Sequence, residues 1–389
     1  MVFSENGIIA KAKEAAEKTN QAAINEQEQM NEVGTMINNM LNGTGGGSTP
    51  EDPTKNWDSN KVDKVTSEDN IVVPVPKGYT ASSVSTENKV SEGFVIYEGQ
   101  EAVTNTNADT ARRTRNQFVW VPVENPSDMY GTDKNGKKWG KLYEFSASGI
   151  TARNWTEQGN IMSITSETSY REPDVVTGSG TQYDADNSNL QQAGLDSSAT
   201  ASTFKTQLQT EFNNMIESVK RYGGFYIGRY ETGNLSQAKV SVIKNNTDIN
   251  NQTWYSMYKK AKGIAVNGNV TSSMIWGSQW DATMRWMYNS ENGEKKKYTY
   301  DSTGKGNYNG TNGTKAIATG SVDAYAVNNI YDMGGNVNDW TIEAGLTIVR
   351  VTRGGGSNVI GSSSPASRRS NNDPTDRNEY LGFRVALYM

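Results

Sequence analysis

The sequence predicts an α+β protein, and three observations carry the prediction. A proline-free stretch over residues 5–41, rich in Ala, Glu, Lys and Gln, predicts a helix. The run Asn42-Gly43-Thr44-Gly45-Gly46-Gly47-Ser48-Thr49-Pro50 predicts a flexible linker. Beyond about residue 69, short apolar runs bounded by Pro and Gly alternate with amphipathic helical patterns, as in a mixed globular domain. The expected divisions are a helical stalk over 1–41, a Gly/Ser/Pro linker over 42–68 and a folded domain over 69–389.

In the first helix, Ile8, Ile9, Ala12, Ala16, Ala23, Met30, Val33, Ile37 and Met40 form a loose apolar stripe. The polar surplus predicts a mostly solvated helix, and Gly34 weakens its end. Ile71–Pro76, Gly93–Tyr97 and Gln117–Val123 have the short β-rich composition of strands. Residues 125–200 are polar and turn-rich, which predicts surface loops or an insertion. An amphipathic helix follows, capped by Ser202 or Thr203. Its inward face is Phe204, Leu208, Phe212, Met215, Ile216 and Val219, and Gly223-Gly224 stops it. Phe225–Glu231 is a further strand. A second helix covers Gln279–Tyr288 with Trp280, Met284 and Met287 inward. Residues 289–320 predict an exposed loop in which Lys295-Lys296-Lys297 is a solvated turn.

Composition removes much chemistry. The chain has 389 residues, with 38 Lys+Arg against 43 Asp+Glu, and neither His nor Cys. Disulfides, thiolate nucleophiles, Cys-based metal sites and Ser-His-Asp triads are excluded. Carboxylate and lysine chemistry, hard cations and plain binding remain. Mean hydropathy is only −0.72, yet 9 Trp, 19 Tyr and 8 Phe supply a core that a disordered chain would lack. A net charge of −5 argues against nucleic acid as a partner. No apolar run approaches the roughly 20 residues that span a bilayer, and Met1–Glu5 lacks the apolar core of a signal peptide.

Four segments recur in a telling order: Phe225–Thr232; Gln279-Trp280-Asp281-Ala282; Asn329–Trp340, which contains Gly334-Gly335-Asn336-Val337-Asn338-Asp339-Trp340; and Arg353–Ser357 with Gly382-Phe383-Arg384-Val385. Together they resemble the formylglycine-generating, sulfatase-modifying family over roughly residues 69–389. The resemblance implies a C-type-lectin-like fold. In this frame Gly334-Gly335 gives backbone freedom, Trp340 supplies apolar area and an indole N–H that needs a partner, and Arg384 is a buried, paired arginine. The family's cysteine- and histidine-dependent catalysts have no counterpart here, so the resemblance implies the fold without an inherited active site. Asn338 departs from the aromatic residue usual at its position.

The tail from Arg350 to Tyr388 resembles the variable proteins of diversity-generating retroelements. There, adenines of AAY codons are randomised, and Lys, Gln, Glu, Met and Trp cannot result. Thr341–Tyr388 contains no Lys, Gln, Met or Trp; Glu343 takes a framework position, and Glu379 does not fit the pattern. The resemblance implies a non-enzymatic ligand-binding domain with a variable segment at about 341–381. Its candidate ligand-binding positions are Leu346, Ile348, Val349, Gly356, Asn358, Val359, Ile360, Ser363, Ser364, Arg368, Ser370, Asn371, Asp376, Arg377 and Tyr380. For the apolar ones, ordinary core packing is the open alternative, because periodicity does not separate the two. Arg368, Arg369, Arg377 and Tyr380 are the expected anchors.

Glu5–Ala15 resembles the segment after the apolar helix of type IV pilin-like proteins of Gram-positive gut bacteria, and that apolar helix itself is not in the sequence. A plain helical stalk is the alternative. The expected setting is extracellular, at a cell surface or pilus, with a phage virion as the variant. Expected partners are a protein or glycan ligand on another cell or particle, and a pilus or cell-envelope assembly held through the N-terminal helix. No cofactor is expected. Ca²⁺ is the one candidate ion, with Asn336 and Asp339 as its candidate ligands, because relatives place calcium around this motif and hard cations take oxygen donors. An enzyme of the sulfatase-modifying superfamily with a non-Cys site, or a fixed-specificity calcium lectin, is the alternative.

Overall fold

The structure, a computed structural model, describes residues 54–389 except 159–160, 165–169, 178–182, 237–238, 247–249, 266, 311–313 and 346–347. The expected stalk at 1–41 and the glycine-rich start of the linker lie outside the described residues, as does Leu346. The compact unit begins at Asn56, inside the stretch expected to be linker. There Val62–Thr66 pairs antiparallel with Val72–Pro76. With only two valines in Val62-Asp63-Lys64-Val65-Thr66, this strand has too little apolar signal to stand out.

Ten strands build the two principal sheets. They are β1 (Tyr79–Ala81), β2 (Val95–Glu98), β3 (Gln117–Pro122), β4 (Gly224–Gly228), β5 (Thr271–Met274), β6 (Asn338–Gly345), β7 (Val349–Arg353), β8 (Arg369–Asn372), β9 (Leu381–Phe383) and β10 (Val385–Tyr388). The larger sheet is antiparallel, in the order β5-β10-β4-β3-β2-β1. The smaller has the order β8-β7-β6-β9, with β6 and β9 parallel and the rest antiparallel. Every residue of β4 is buried, and so is β3 up to Val121. Central strands covered on both faces read as unbroken apolar runs, which is why Phe118-Val119-Trp120-Val121 was legible.

Helix α1 (Ala201–Tyr222) packs on β4 and β10. Phe204, Leu208, Phe212, Met215, Ile216 and Val219 are all fully buried, as its pattern predicts. Each such side chain contributes about 1.5–3 kcal/mol on leaving water. Its cap, Thr200, lies two or three residues earlier than expected: the Thr203 N–H donates to Thr200 Oγ1 at 3.3 Å, and the Thr200 N–H donates to Thr203 Oγ1 at 2.9 Å. Gly223 closes it at φ +79°, where a side chain would be strained. Helix α2 (Trp254–Ala261) stacks Trp254 on Tyr258 at 5.0 Å. Helix α3 (Gly277–Tyr288) buries Trp280, Met284 and Met287.

Two expectations change. The segment 125–200 forms three hairpins (130–132 with 138–140, 143–146 with 149–152, 155–158 with 161–164) and a helix, Asn187–Gln192. It buries Leu142, Val176 and Leu190 and several carboxylates, so it is part of the core and not only surface. Residues 289–320 contain helix α4 (Gly293–Tyr300), started by Asn292, whose Oδ1 accepts from the Glu294 N–H at 3.0 Å. Lys295 is buried rather than solvated, donating to Ser91 O at 2.9 Å and Glu92 Oε2 at 2.8 Å. A helix that turns a lysine and a threonine inward has no apolar stripe to reveal it.

Candidate functional site

The tail is anchored by arginines. Arg384 occupies the single residue between β9 and β10, where the chain passes from the small sheet to the large one. Its guanidinium donates to Gly228 O at 2.9 Å, Tyr331 O at 2.7 Å and Asp339 Oδ2 at 3.2 Å. Burial pushes the Asp339 carboxyl up to about 6 in spite of that arginine. In β7, Arg350 donates to Asp184 Oδ2 at 2.6 Å and to the carbonyls of Asp174 and Ile342, and lies over the Trp254 ring at 4.2 Å. Arg353 pairs with Asp281 Oδ1 at 2.5 Å and lies 3.5 Å from Glu343 Oε2. Arg369 of β8 binds the same two carboxylates, donating to Glu343 Oε1 at 2.7 Å and also to Tyr143 O at 2.7 Å.

Glu172 completes this cluster from the segment 125–200. Its carboxyl accepts from the Gly277 and Ser278 N–H groups at 2.5 and 3.0 Å, at the start of α3. Burial, with the Glu343 carboxylate next in weight, pushes it up to about 8. A β-carbon on Gly277 would lie 2.1 Å from Glu343 Oε2, so only glycine fits between them. Glu172, Asp174 and Asp184 were not recognisable from sequence. The available signal was Arg350 and Arg353 inside an otherwise strand-like run, since a buried arginine requires a carboxylate or carbonyls.

Between these anchors the chain reaches solvent. Of the fourteen described candidate positions, Ile348, Asn358, Ile360, Ser363, Arg368, Asn371, Asp376 and Arg377 are exposed. Val349, Val359, Ser364, Ser370 and Tyr380 are half-buried, and Gly356 alone is buried. Ile348 and Ile360 are 39% and 53% exposed, so they do not pack as ordinary core. Beside them Arg350, Val351, Thr352, Arg353, Ala366 and Leu381 are buried, whereas Ser362 and Glu379 are exposed. Arg369 departs from its expected role as an anchor for a ligand, because its guanidinium is spent on Asp281 and Glu343.

Two groups of candidates are brought together. Gly356, Asn358 and Tyr380 surround Asn338, whose Nδ2 donates to Tyr380 O at 3.3 Å. A β-carbon on Gly356 would crowd the amide ends of Asn338 and Asn358, at 2.8 and 3.1 Å, and lie in ordinary contact with Asn336 O at 3.6 Å. Val349 pairs with Gly345, which Asn371 Oδ1 approaches from β8. Asn338 therefore joins the surface as a framework residue. Its departure from the aromatic pattern was the signal.

Asn336 and Asp339 serve the scaffold. Asn336 Oδ1 accepts from Asn307 Nδ2 at 2.9 Å and the Ile317 N–H at 2.8 Å, which uses both of its lone pairs. Its Nδ2 donates to Glu231 Oε2. Asp339 faces Arg384. The pair is thus turned to separate protein partners, not to one shared cation position. Among the described residues no group of three or more acidic side chains is arranged to hold a metal ion. Gly335 has φ +84°, with Asn307 O only 2.6 Å from its missing β-carbon, so the expected glycine requirement is structural. Trp340 is fully buried, but its indole N–H has no hydrogen-bond partner in the structure, contrary to expectation.

Residues 268–389 match the family model described as the sulfatase-modifying factor enzyme 1-like domain. No curated protein matches. Solved structures similar to the chain include PvdO from Pseudomonas aeruginosa, at 16% identity over 43% of this chain and 82% of that one, with a TM-score of 0.31. CarF matches at 14% identity over 43% and 87%, also with 0.31. Treponema denticola variable protein 1 matches at 15% identity over 67% and 98%, with 0.21.

Proposed function

With a C-type-lectin-like domain of the sulfatase-modifying type at 268–389 as the premise, we propose that this protein is a non-enzymatic, surface-displayed binder whose C-terminal face is diversified between copies by a retroelement. The observation that carries this is the exposure of the tail: thirteen of fourteen described candidate positions reach solvent, while Arg350, Arg353 and Arg369 beside them are held in buried arginine–carboxylate clusters. Such a scaffold lets surface side chains change without disturbing the core, since substitutions away from buried features usually stay within about 0.5 kcal/mol. The exposed Ile348 and Ile360, with Arg368, Arg377 and Tyr380, have the composition of a protein-binding surface. The helical stalk and linker would carry the domain away from a pilus or cell envelope, or a phage tail, as an adhesin or receptor-binding protein. Of the carboxyls shifted upward, the kind an enzyme could use, Glu172, Asp184, Asp332, Asp339 and Glu343 are sealed from solvent, and Asp376 lies exposed among the candidate positions.

The test is a library with NNY codons at Asn358, Ile360, Ser363, Arg368, Asn371, Asp376 and Arg377. Most members should melt within about 4 °C of the parent, and panning should yield binders to unrelated proteins. A matched library at Arg350, Val351, Thr352 and Arg353 should not fold. If the surface library unfolds as often as the buried one, the proposal fails.

A further inference from the structure

Outside the tail, a cleft of about 510 Å³ lies between the end of β3 and the last turn of α3, within the roughly 300–1,000 Å³ of ligand sites. Its wall includes Trp286, which is half-buried. The other half-buried tryptophans each have a partner over or beside the ring. The Lys137 ammonium lies 3.5 Å from the Trp139 centroid, that of Lys141 lies 4.1 Å from Trp155, and the Tyr222 ring lies 6.2 Å from Trp57. Among the described residues no cation sits over Trp286 and no aromatic ring stacks on it. Charge in the cleft is also unbalanced. Of its two cations, Arg285 is paired with Asp128 at 3.0 Å and Lys295 with Glu92 at 2.8 Å. Glu124 and Glu291 remain, both exposed and without an ion-pair partner among the described residues. The cleft continues into a second one of about 670 Å³, where Lys89 and Lys305 stand with Glu294, so the surplus of negative charge belongs to the Trp286 end.

Two unpaired carboxylates beside an uncovered indole suit a cation that also carries carbon. The quadrupole of the ring attracts a cation over its face, and the carboxylates accept charge-assisted hydrogen bonds from it. An anion meets the wrong sign of charge there. A metal ion fits poorly, since a hard cation takes about six oxygen donors and no group of three acidic side chains among the described residues is arranged to hold one. We propose that the cleft is a second binding site, for an ammonium or guanidinium group on an apolar stem, with the cation against Trp286 and its charge answered by Glu124 and Glu291. A lysine or arginine side chain of a partner and a free amine share this chemistry. No residue of the cleft falls within 341–381, so the site stands whether or not the tail varies.

The experiment titrates ¹⁵N-labelled full-length protein with acetyl-Gly-Arg-Gly-amide, acetyl-Gly-Lys-Gly-amide and choline, and with acetyl-Gly-Gln-Gly-amide as the neutral control. The Trp286 indole resonance is identified by its loss in Trp286→Phe. At least one of the three cations should shift that resonance with an affinity at least about tenfold above that of the neutral peptide. Tighter binding of the charged peptides than of choline assigns the site to a partner's side chain, and the reverse order assigns it to a free ammonium compound. Glu124→Gln with Glu291→Gln should weaken binding at least about fivefold. Both side chains are exposed, so that variant should melt within about 4 °C of the parent. Absence of binding by all three cations at about 20 mM, equal binding of the neutral peptide, or full affinity in the double glutamine variant would each overturn the proposal.

Discussion

Arg368 and Arg369 are adjacent in the chain and have opposite fates. The Arg369 guanidinium is buried between Asp281 and Glu343, while that of Arg368 is exposed and makes no ion pair among the described residues. Arg368→Ala should change stability by no more than about 0.5 kcal/mol. Arg369→Ala should cost about 3–5 kcal/mol, because two buried carboxylates lose a shared cation. Urea unfolding of the two variants checks the contrast.

The Glu172 carboxyl makes stability depend on pH. Its pKa in the folded protein, about 8, lies above the ordinary 4.5, so the folded chain keeps a proton that the unfolded chain has released. Its contribution is full below about pH 4.5 and declines as pH rises towards 8, by up to 1.4 kcal/mol per pH unit. Asp339, raised to about 6, gives a similar decline that ends near pH 6. Glu172→Gln should therefore remove the fall in unfolding free energy between pH 6 and 8 and leave, below pH 6, only the share due to Asp339. An unchanged slope above pH 6 would refute the assignment.

Two glycines should respond differently to alanine. At Gly335 the positive φ and the backbone oxygen of Asn307 leave no room, and Gly335→Ala should cost at least about 3 kcal/mol. At Gly356 the obstacles are the movable amide ends of Asn338 and Asn358. Gly356→Ala should cost about 1 kcal/mol or less, which fits a candidate variable position that is nevertheless buried. Thermal melts of both variants decide.

Arg350 and Asp184 should be strongly coupled, as both are fully buried and 2.6 Å apart. Arg350→Met alone should cost about 3–5 kcal/mol by leaving Asp184 without its cation. Combining it with Asp184→Asn should recover at least about 1 kcal/mol relative to the sum of the two single variants. Strict additivity in the cycle would show that the ion pair itself contributes nothing.

Sequence exposed what is periodic or apolar. Helix α1 was legible because six large side chains recur at helical spacing and a glycine ends the run, and β3 because both of its faces are buried. Arg384 was legible from its place between Phe383 and Val385. The segment 125–200 was not, because its buried polar groups serve partners far along the chain: the Asp184 carboxylate and the Asp174 carbonyl hold Arg350, and the Glu172 carboxyl accepts from the Gly277 and Ser278 N–H groups. A buried carboxylate has no period and looks like a surface one until its partner is located. The same holds for Lys295. Asn336 and Asp339 show the converse: residue type suggested a cation, and the hydrogen bonds supply other partners. At the candidate face, thirteen of the fourteen described candidate positions reach solvent, and Arg369 was misplaced because consecutive arginines carry no information about which one turns inward.

Arg384 marks the point where the tail crosses between sheets, and β10 beyond it lies between β4 and β5 inside the larger sheet. A chain interrupted anywhere in 341–381 lacks that inner strand, and β5 then has nothing to pair with. Translation must run through the whole of 341–381, in frame, before the sheet can close. A truncation or frameshift there should therefore leave the larger sheet without its inner strand. The order of the strands thus makes a complete β10 a condition for closing the larger sheet.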